Sequence, residues 1–481
     1  MKVLIRADAS STIGAGHVMR CLTLAAALRK CHVEVTFACA DLAGHIIDTV
    51  YASGFEVVSL HGLYPLDWQA EVQELQTKLD VVFDWLIVDH YQLDWEWERA
   101  IRHLARRIMV IDDLCNRRHD ADILLDQNLC ATPQLYQRWL SKSCRLLLGA
   151  RFVLLRPEFA EFKVAIKPEL TRIVVNFGAA DPSRELFKVM DALQDCEQFT
   201  VDFIAGCSNS AWSELQQRVG LSPRWRLHQH IEHLAQFIAE ADLFIGAAGS
   251  SSWERALIGL PSICIAVADN QVKPAQVMQD RGMHVYLGES RAVSAKVIQQ
   301  HLLALTLTQR QSLSTTSIAA IDAHGVERVV AALMQFELQI RLATNADAQL
   351  IFDARNAPEV RRHSMKTAVI EWDSHCLWLE RQLVNTDSLL LIGSAFDGEV
   401  GVVRFDRCDQ SAAEVSIYLL SKRLGLGWGQ FLLKNATDYL RQQWPTIKSI
   451  KAKIKKDNLP SIKLFSCHGY QCDGAYYVHS L

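Results

Sequence analysis

Twice within the first 340 residues, short apolar runs alternate with helix-length segments, and this alternation limits the chain more than any other feature. The first series is Val3–Ile5, Val33–Ala38, Trp85–Val88, Ile108–Ile111 and Ile123–Leu125, with segments such as Met19–Lys30 and Asp67–Leu79 between them. Several runs lead into an acid: Asp8, Asp89, Asp112 and Asp126. Runs this short and apolar predict strands buried on both faces, as in a parallel sheet covered by helices. The series restarts near Arg172 with Ile173–Val175, Val201–Ala205, Trp225–His228, Leu243–Ile245 and Ser262–Val267, and Glu161–Pro168 reads as the connection. The expected class is α/β: two Rossmann-like domains in tandem, with ligands in the cleft beyond the carboxyl ends of the strands.

The pattern changes after about Ile340. A helical segment (Asp347–Arg361) precedes extended runs at Ser388–Ser394, Gly398–Arg404 and Glu414–Leu420. A glycine-rich turn, a helix (Gly429–Gln443) and two more extended runs (Ser449–Ile454, Ala475–Val478) follow. This predicts an α+β domain with an antiparallel meander. The chain's 481 residues exceed what one core supports, and the expected parts are 1–160, 161–338 and 341–481.

Composition removes several classes. A net charge of −4 gives no basic field for nucleic acid or an acidic membrane surface. The 13 cysteines are scattered with no C-x-x-C pair, so neither a disulfide framework nor a zinc site is indicated. Asp120-Ala121-Asp122 has a metal-binding spacing but enters a strand instead of leaving one, which reads as a turn; no metal is expected. There is no apolar stretch long enough for a signal or a membrane span, so the expected location is cytoplasmic.

Chemistry concentrates at four places. Ser10-Ser11-Thr12-Ile13-Gly14-Ala15-Gly16-His17 follows the first strand and opens a helix. Glycines there let the backbone approach a ligand, and helix amides favour an anion such as diphosphate. His17, on the first helical turn, is placed where those amides favour a neutral ring able to take a proton from water. From these residues alone, packing or capping is equally open to it. Gly246-Ala247-Ala248-Gly249-Ser250-Ser251-Ser252-Trp253-Glu254 repeats the strand–turn–helix arrangement in the second series, with Glu254 one turn in, where a carboxylate can accept two ribose hydroxyls. Asn270 and Gln271 end the next strand within reach of a sugar. Their plainer roles are a helix-dipole carboxylate for Glu254 and a turn residue for Asn270. In the last domain, Leu424-Gly425-Leu426-Gly427-Trp428-Gly429 joins a strand to a helix, and Asn458…Ser461…Leu464-Phe465…His468-Gly469-Tyr470 lies downstream.

On these motifs, residues 1 to about 335 resemble the UDP-sugar hydrolases of pseudaminic acid biosynthesis. The opening KVLIRADASSTIGAGHVMRC carries the likeness. IGAAGSSSWERALIGLPSICI with ADNQ is similar to the UDP-sugar motif of the lipid II glycosyltransferase MurG. The resemblance implies a GT-B fold and metal-independent, inverting hydrolysis of UDP-2,4-diacetamido-2,4,6-trideoxy-β-L-altropyranose. It makes His17 the general base and turns Gly14 and Gly16 toward the diphosphate. Gly249, Ser250 and Ser251 would hold the phosphates, Glu254 the ribose, and Asn270 and Gln271 the sugar, with Gly178 and Asp181 also lining the cleft.

Residues 341–481 resemble the GNAT N-acetyltransferases, in particular those that act in the same pathway. This implies acetyl-CoA as cosubstrate, held by Leu419, Arg423, Gly425, Gly427, Gly429 and Asn458. The acceptor would be the 4-amino group of a UDP-aminosugar, with Glu414 deprotonating the amine through water, although a solvated edge carboxylate is as good a reading of Glu414. Two positions depart from the family: Leu424 stands where the loop usually opens with Arg or Gln, and Phe465 where a Tyr often protonates the leaving thiolate. Rival readings are a MurG-like glycosyltransferase fused to a protein N-acetyltransferase, and a non-catalytic UDP-sugar-binding scaffold.

Overall fold

In the computed structural model, which describes residues 1–62, 66–206, 209–229 and 231–481, the first series of runs forms seven parallel strands. They are β1 (Lys2–Ala7), β2 (Glu34–Asp41), β3 (Glu56–His61), β4 (Phe83–Asp89), β5 (Ala105–Ile111), β6 (Ile123–Asp126) and β7 (Arg145–Leu148). Their spatial order is β3-β2-β1-β4-β5-β6-β7. The order reverses between β1 and β4, where Ala7 pairs with Asp89. Such a reversal opens a crevice at the strand ends. The second series gives β8 (Arg172–Asn176), β9 (Thr200–Ile204), β10 (Trp225–His228), β11 (Leu243–Ala247), β12 (Ser262–Ala266) and β13 (Val285–Glu289), also parallel, ordered β10-β9-β8-β11-β12-β13. Its reversal lies between β8 and β11, where Gly246 pairs with Asn176. A Cβ on Gly246 would fall 2.2 Å from the Asn176 carbonyl oxygen, so only glycine fits there. The two doubly wound sheets make the GT-B architecture that the sequence pattern implies.

Strands β3, β7 and β13 were not anticipated. β3 and β7 are the edges of the first sheet and β13 is an edge of the second. The stretch Glu161–Pro168, expected as a connection, is built into the second half. Val164 donates its amide to Ile258, Arg310 holds the carbonyls of Lys167 and Pro168, and Ala150, Val153, Leu155, Phe159 and Val164 share a core with Val174, Trp253 and Leu257. The helix Gly325–Met334 returns to the segment before it: a Cβ on Gly325 would sit 2.1 Å from the Val153 carbonyl oxygen, and Arg328 donates to the Arg151 carbonyl.

The chain divides into two compact units, Met1–Val329 and Val330–Leu481. In the second, β14 (Gln339–Leu342), β15 (Ser388–Ala395), β16 (Gly398–Arg407), β17 (Ala412–Leu419), β18 (Ser449–Lys453), β19 (Gln471–Asp473) and β20 (Tyr476–Ser480) form one sheet ordered β14-β15-β16-β17-β18-β20-β19. Neighbours are antiparallel except β17 and β18, which run parallel from Ala412↔Ser449 to Val415↔Ala452 and pair no further. This is the mixed sheet of a GNAT domain. Among the described residues no helix is long and apolar enough to cross a membrane.

Candidate functional site

The turn after β1 is shaped by Ser10, whose hydroxyl accepts from the amides of Thr12 and Ile13 while its carbonyl accepts from Gly14. Gly14 has φ +80°, a left-handed conformation that disfavours any side chain. The helix Gly16–Lys30 then begins with no side-chain cap. The helix Ser251–Ile258, after β11, also begins uncapped, with Ser250 at its N-cap. The two ends face each other, since a Cβ on Gly16 would lie 3.7 Å from Ser250 Oγ. Two helix starts without side-chain caps meet here, and that concentrates positive potential where an anion such as diphosphate would sit.

His17 stands beside that point, 8% exposed. Its Nδ1 is 2.6 Å from Asp89 Oδ1. The same carboxylate takes two 2.6 Å bonds from Arg20, through Nε and Nη2. Burial opposes ionisation of Asp89, but Arg20 and His17 outweigh it and hold the carboxyl well below its usual range. An ionised carboxylate only accepts hydrogen bonds, so Nδ1 donates to Asp89 and, whenever the ring is neutral, Nε2 carries the free lone pair. Tyr91 meets the His17 ring edge-on at 4.6 Å. Its hydroxyl donates to Asp113 at 2.7 Å and accepts from Asn270 Nδ2 at 2.9 Å. Asn270, from the second half, therefore reaches the ring that packs on His17 in the first. Asp89 and Tyr91 were not singled out as site residues: they lie 72 and 74 positions from His17, and only the β1–β4 adjacency brings them near.

The remaining positions fall into two groups. Glu254 keeps Oε1 on Arg156, at 3.0 and 2.9 Å from its Nε and Nη2, which leaves Oε2 for another partner. Gln271 accepts from the Val267 amide, and its Nε2 would lie 3.5 Å from a Cβ on Gly249. Ser251 accepts from Arg255 at 2.8 Å. These surround the uncapped helix start. Gly178, at φ +95°, has open space where a Cβ would be. Asp181, expected along the cleft, is buried, its two oxygens taken by the amides of Glu185 and Leu186, so it fastens the first turn of the helix Glu185–Leu193, whose N-cap is Arg184. Asp120 and Asp122 both pair with Arg102, as a turn fastening would.

In the second unit, Gly425 and Gly427 have φ of +73° and +83°, and Gly427 caps the helix Trp428–Gln443 in the left-handed conformation. A Cβ on Gly429 would meet Leu464 at 3.3 Å and Leu419 at 3.9 Å, which seats the loop against the helix Leu459–Cys467. Asn458 caps that helix through the Ser461 amide. Beyond Val415, β17 and β18 separate, so the Leu419 end of β17 borders a gap in the sheet. Glu414 lies in the still-paired part, in register with Asp406 and Lys451.

Arg423, expected on the donor's phosphate, is used internally. It is 5% exposed, bonds Asp397 at 2.7 and 2.8 Å, donates to the Glu399 carbonyl and lies over Trp428. A guanidinium so occupied anchors the loop instead of reaching a ligand. Phe465 is buried edge-to-face with Tyr470 at 4.8 Å.

Cations gather elsewhere, at the helix Pro358–His363. Glu359 bonds Ser421, just past β17, and Lys455, just past β18, donates to the Arg362 carbonyl, so this helix bridges the mouth of the gap. Arg361, Arg362 and His363 close its last turn. Arg355 stands near Tyr418 and Arg404 with Nη1 buried and unbonded, and burial together with Arg404 lowers its pKa.

Known proteins resemble the chain in both of its parts. Residues 337–471 match the profile of the acetyltransferase (GNAT) domain family. An uncharacterised protein of Methanocaldococcus jannaschii, MJ1062, is 21% identical over 490 residues, covering 98% of this chain and 97% of the relative. The UDP-2,4-diacetamido-2,4,6-trideoxy-beta-L-altropyranose hydrolase of Campylobacter jejuni is 27% identical over 286 residues, 59% of this chain and 98% of the relative. MurG of Acinetobacter baumannii matches at TM-score 0.48 with 16% identity, covering 69% of this chain and 99% of that structure. The chain is thus an enzyme that joins a homologue of a UDP-sugar hydrolase to a GNAT acetyltransferase domain.

Proposed function

We propose that the chain carries two neighbouring steps on one sugar nucleotide. Residues 341–481 move an acetyl group from acetyl-CoA to the 4-amino group of a UDP-aminosugar. The parts 1–160 and 161–338 then hydrolyse UDP-2,4-diacetamido-2,4,6-trideoxy-β-L-altropyranose to the free sugar and UDP. The observation that carries the hydrolase reading is the Asp89–His17 pair beside two converging helix starts. His17 Nε2 takes a proton from water, whose oxygen attacks C1 from the face opposite UDP. The C1–O bond breaks, the electron pair leaves with UDP, and the configuration inverts. Asp89 holds the ring and balances the imidazolium that forms. The helix amides and the Ser250–Ser251 turn meet the charge that grows on the leaving diphosphate. Glu254, whose Oε2 is left open by Arg156, would take the ribose, and Asn270, beside Tyr91, the hexose.

For the acetyltransferase, the basic mouth around Arg355, Arg361, Arg362 and Lys455 favours an anionic acceptor, as a nucleotide diphosphate is, over the amino terminus of a basic protein. The glycine loop Gly425–Gly429 would receive the donor's pyrophosphate, and amides on the separated end of β17 would hold the thioester carbonyl while the neutral amine attacks. Acetyl passes to nitrogen, and the sulfur leaves as thiolate. Phe465 supplies no proton, so water or another group does.

Incubation of the full chain with the UDP-4-aminosugar and acetyl-CoA tests both halves by mass analysis. Expected products are CoA, UDP and the free diacetamido sugar. UDP release only on addition of a sugar or lipid acceptor would return the reading to a glycosyltransferase. Acetylation of peptides but not of the sugar nucleotide would overturn the second half.

A further inference from the structure

Beneath the Ser250–Ser252 turn lies a buried cation with no carboxylate beside it. Arg255 is 1% exposed, one of the largest fully buried side chains. Its guanidinium donates to Ser251 Oγ at 2.8 Å, Ser252 Oγ at 3.0 Å, Ser262 Oγ at 3.1 Å, the Ala247 carbonyl at 3.1 Å and Cys264 Sγ at 3.3 Å. It also lies over the Phe244 ring at 4.4 Å. Among the described residues no carboxylate pairs with it; the adjacent Glu254 is turned to Arg156. Burying an unpaired charge is costly, and such charges are kept in native structures when a counter-charge arrives from elsewhere. The surroundings carry the excess. Burial would raise the Cys264 thiol, yet His284 and Arg255 bring it down to about 6.

The same contact raises the His284 imidazole, so Cys264 and His284 can hold opposite charges and leave Arg255 in excess, and a counter-charge for it fits the cleft side of the same turn. Ser251 Oγ accepts from Arg255, so its own hydrogen is free to point outward to an anion. We infer that Arg255 is a positioning residue for the diphosphate: it fixes Ser251 as an outward donor and supplies, from behind the turn, the positive charge that stabilises departing UDP. Hydrogen bonds that draw on a charged donor are about twice as strong as neutral ones. The inference rests on the UDP reading above and names the group that makes that site selective for the diphosphate over the nucleoside.

Calorimetric titration of UDP and uridine into wild type, Arg255→Lys, Ser251→Ala and the double variant tests it. Lysine keeps the charge, but three donors on one nitrogen cannot span the three hydroxyls, the carbonyl and the sulfur that the guanidinium fork reaches. Each single variant should weaken UDP about tenfold and leave uridine within about twofold. The double variant should be no more than about twofold worse than either single, because both remove one relay. Turnover should fall with the lost UDP affinity. If Arg255→Lys does not fold, Ser251→Ala decides alone, since it leaves the helix intact: no loss for UDP, or equal loss for UDP and uridine, overturns the inference. Additive losses in the double variant overturn it too. Wild type that binds no UDP sinks the hydrolase reading itself, whereas wild-type binding with unaffected variants sinks only the role of Arg255.

Discussion

At residue scale, the site turns on which nitrogen of His17 carries the proton. Asp89 decides this, and it does so only as a carboxylate. His17→Ala should slow UDP release by about 10²–10⁴-fold, the range for loss of a general base, with substrate affinity nearly intact. Asp89→Asn should lower kcat by about 10²-fold or more while KM moves little, because an amide no longer balances the imidazolium. It also strands buried Arg20, so the melting temperature should drop; removing one partner of a buried pair costs about 3–5 kcal/mol. Steady-state kinetics below the variant's melting range separates the two effects. His17 was legible because two glycines and a strand precede it in sequence. Asp89 was visible only as an acid at a strand end, and nothing local joined it to position 17. Asp126 offers a second test by pH. Burial, helped by Asp113 and opposed by the Asn128 amide, lifts its carboxyl to about 7. A folded pKa above the unfolded value means the native state holds the proton longer. Stability from this group is therefore full below the unfolded carboxylate range, about pH 4, and lost as pH rises through about 7. Thermal melts from pH 4.5 to 8 should show that decline, and Asp126→Asn should flatten it.

At the scale of elements, alternation of period and length was enough for the central strands but not for the edges. β3 (Glu56–His61) mixes polar and apolar residues because an edge strand is wetted, and β14 (Gln339–Leu342) has four residues and one buried neighbour strand. The helix Trp372–Val384 was not anticipated; just His375 and Leu379 of it are buried, too few to mark a stripe. Asp181 and Arg423 mark the opposite failure. Both stand in a motif where a ligand contact is expected, and both are spent on the protein, because a helix start and a glycine loop also need internal anchors. Gly427 tests the loop as an element. With φ at +83° it caps the helix Trp428–Gln443, and alanine there must adopt a left-handed backbone at a cost of roughly 1–2 kcal/mol. Gly427→Ala should weaken acetyl-CoA binding and lower the melting of the second unit, and Gly427→Asn, which tolerates that conformation better, should recover part of both. Calorimetry of acetyl-CoA binding alongside scanning melts is the check.

At the scale of the whole molecule, the proposed function puts two sites on one chain whose substrates differ by an acetyl group. Each site is assembled within its own unit: every residue around His17 lies before Val329, and the glycine loop, the β17–β18 gap and the basic mouth lie after it. Because each set of contacts is internal to its unit, damage at one site should leave the chemistry of the other unchanged. That independence makes the order of reactions measurable. If acetylation comes first, the hydrolase is tuned to a neutral acetamido group at C4, and an unacetylated amine, protonated at neutral pH, meets it poorly. The full-length His17→Ala variant, given UDP-4-aminosugar and acetyl-CoA, should then build up the UDP-linked diacetamido sugar with CoA released in equal amount. Wild type without acetyl-CoA should release little UDP from the aminosugar. Mass analysis over time distinguishes this from the reverse order, in which wild type frees the aminosugar without acetyl-CoA and the variant's acetylation falls along with its hydrolysis, because the transferase then waits for a free sugar that the variant cannot supply.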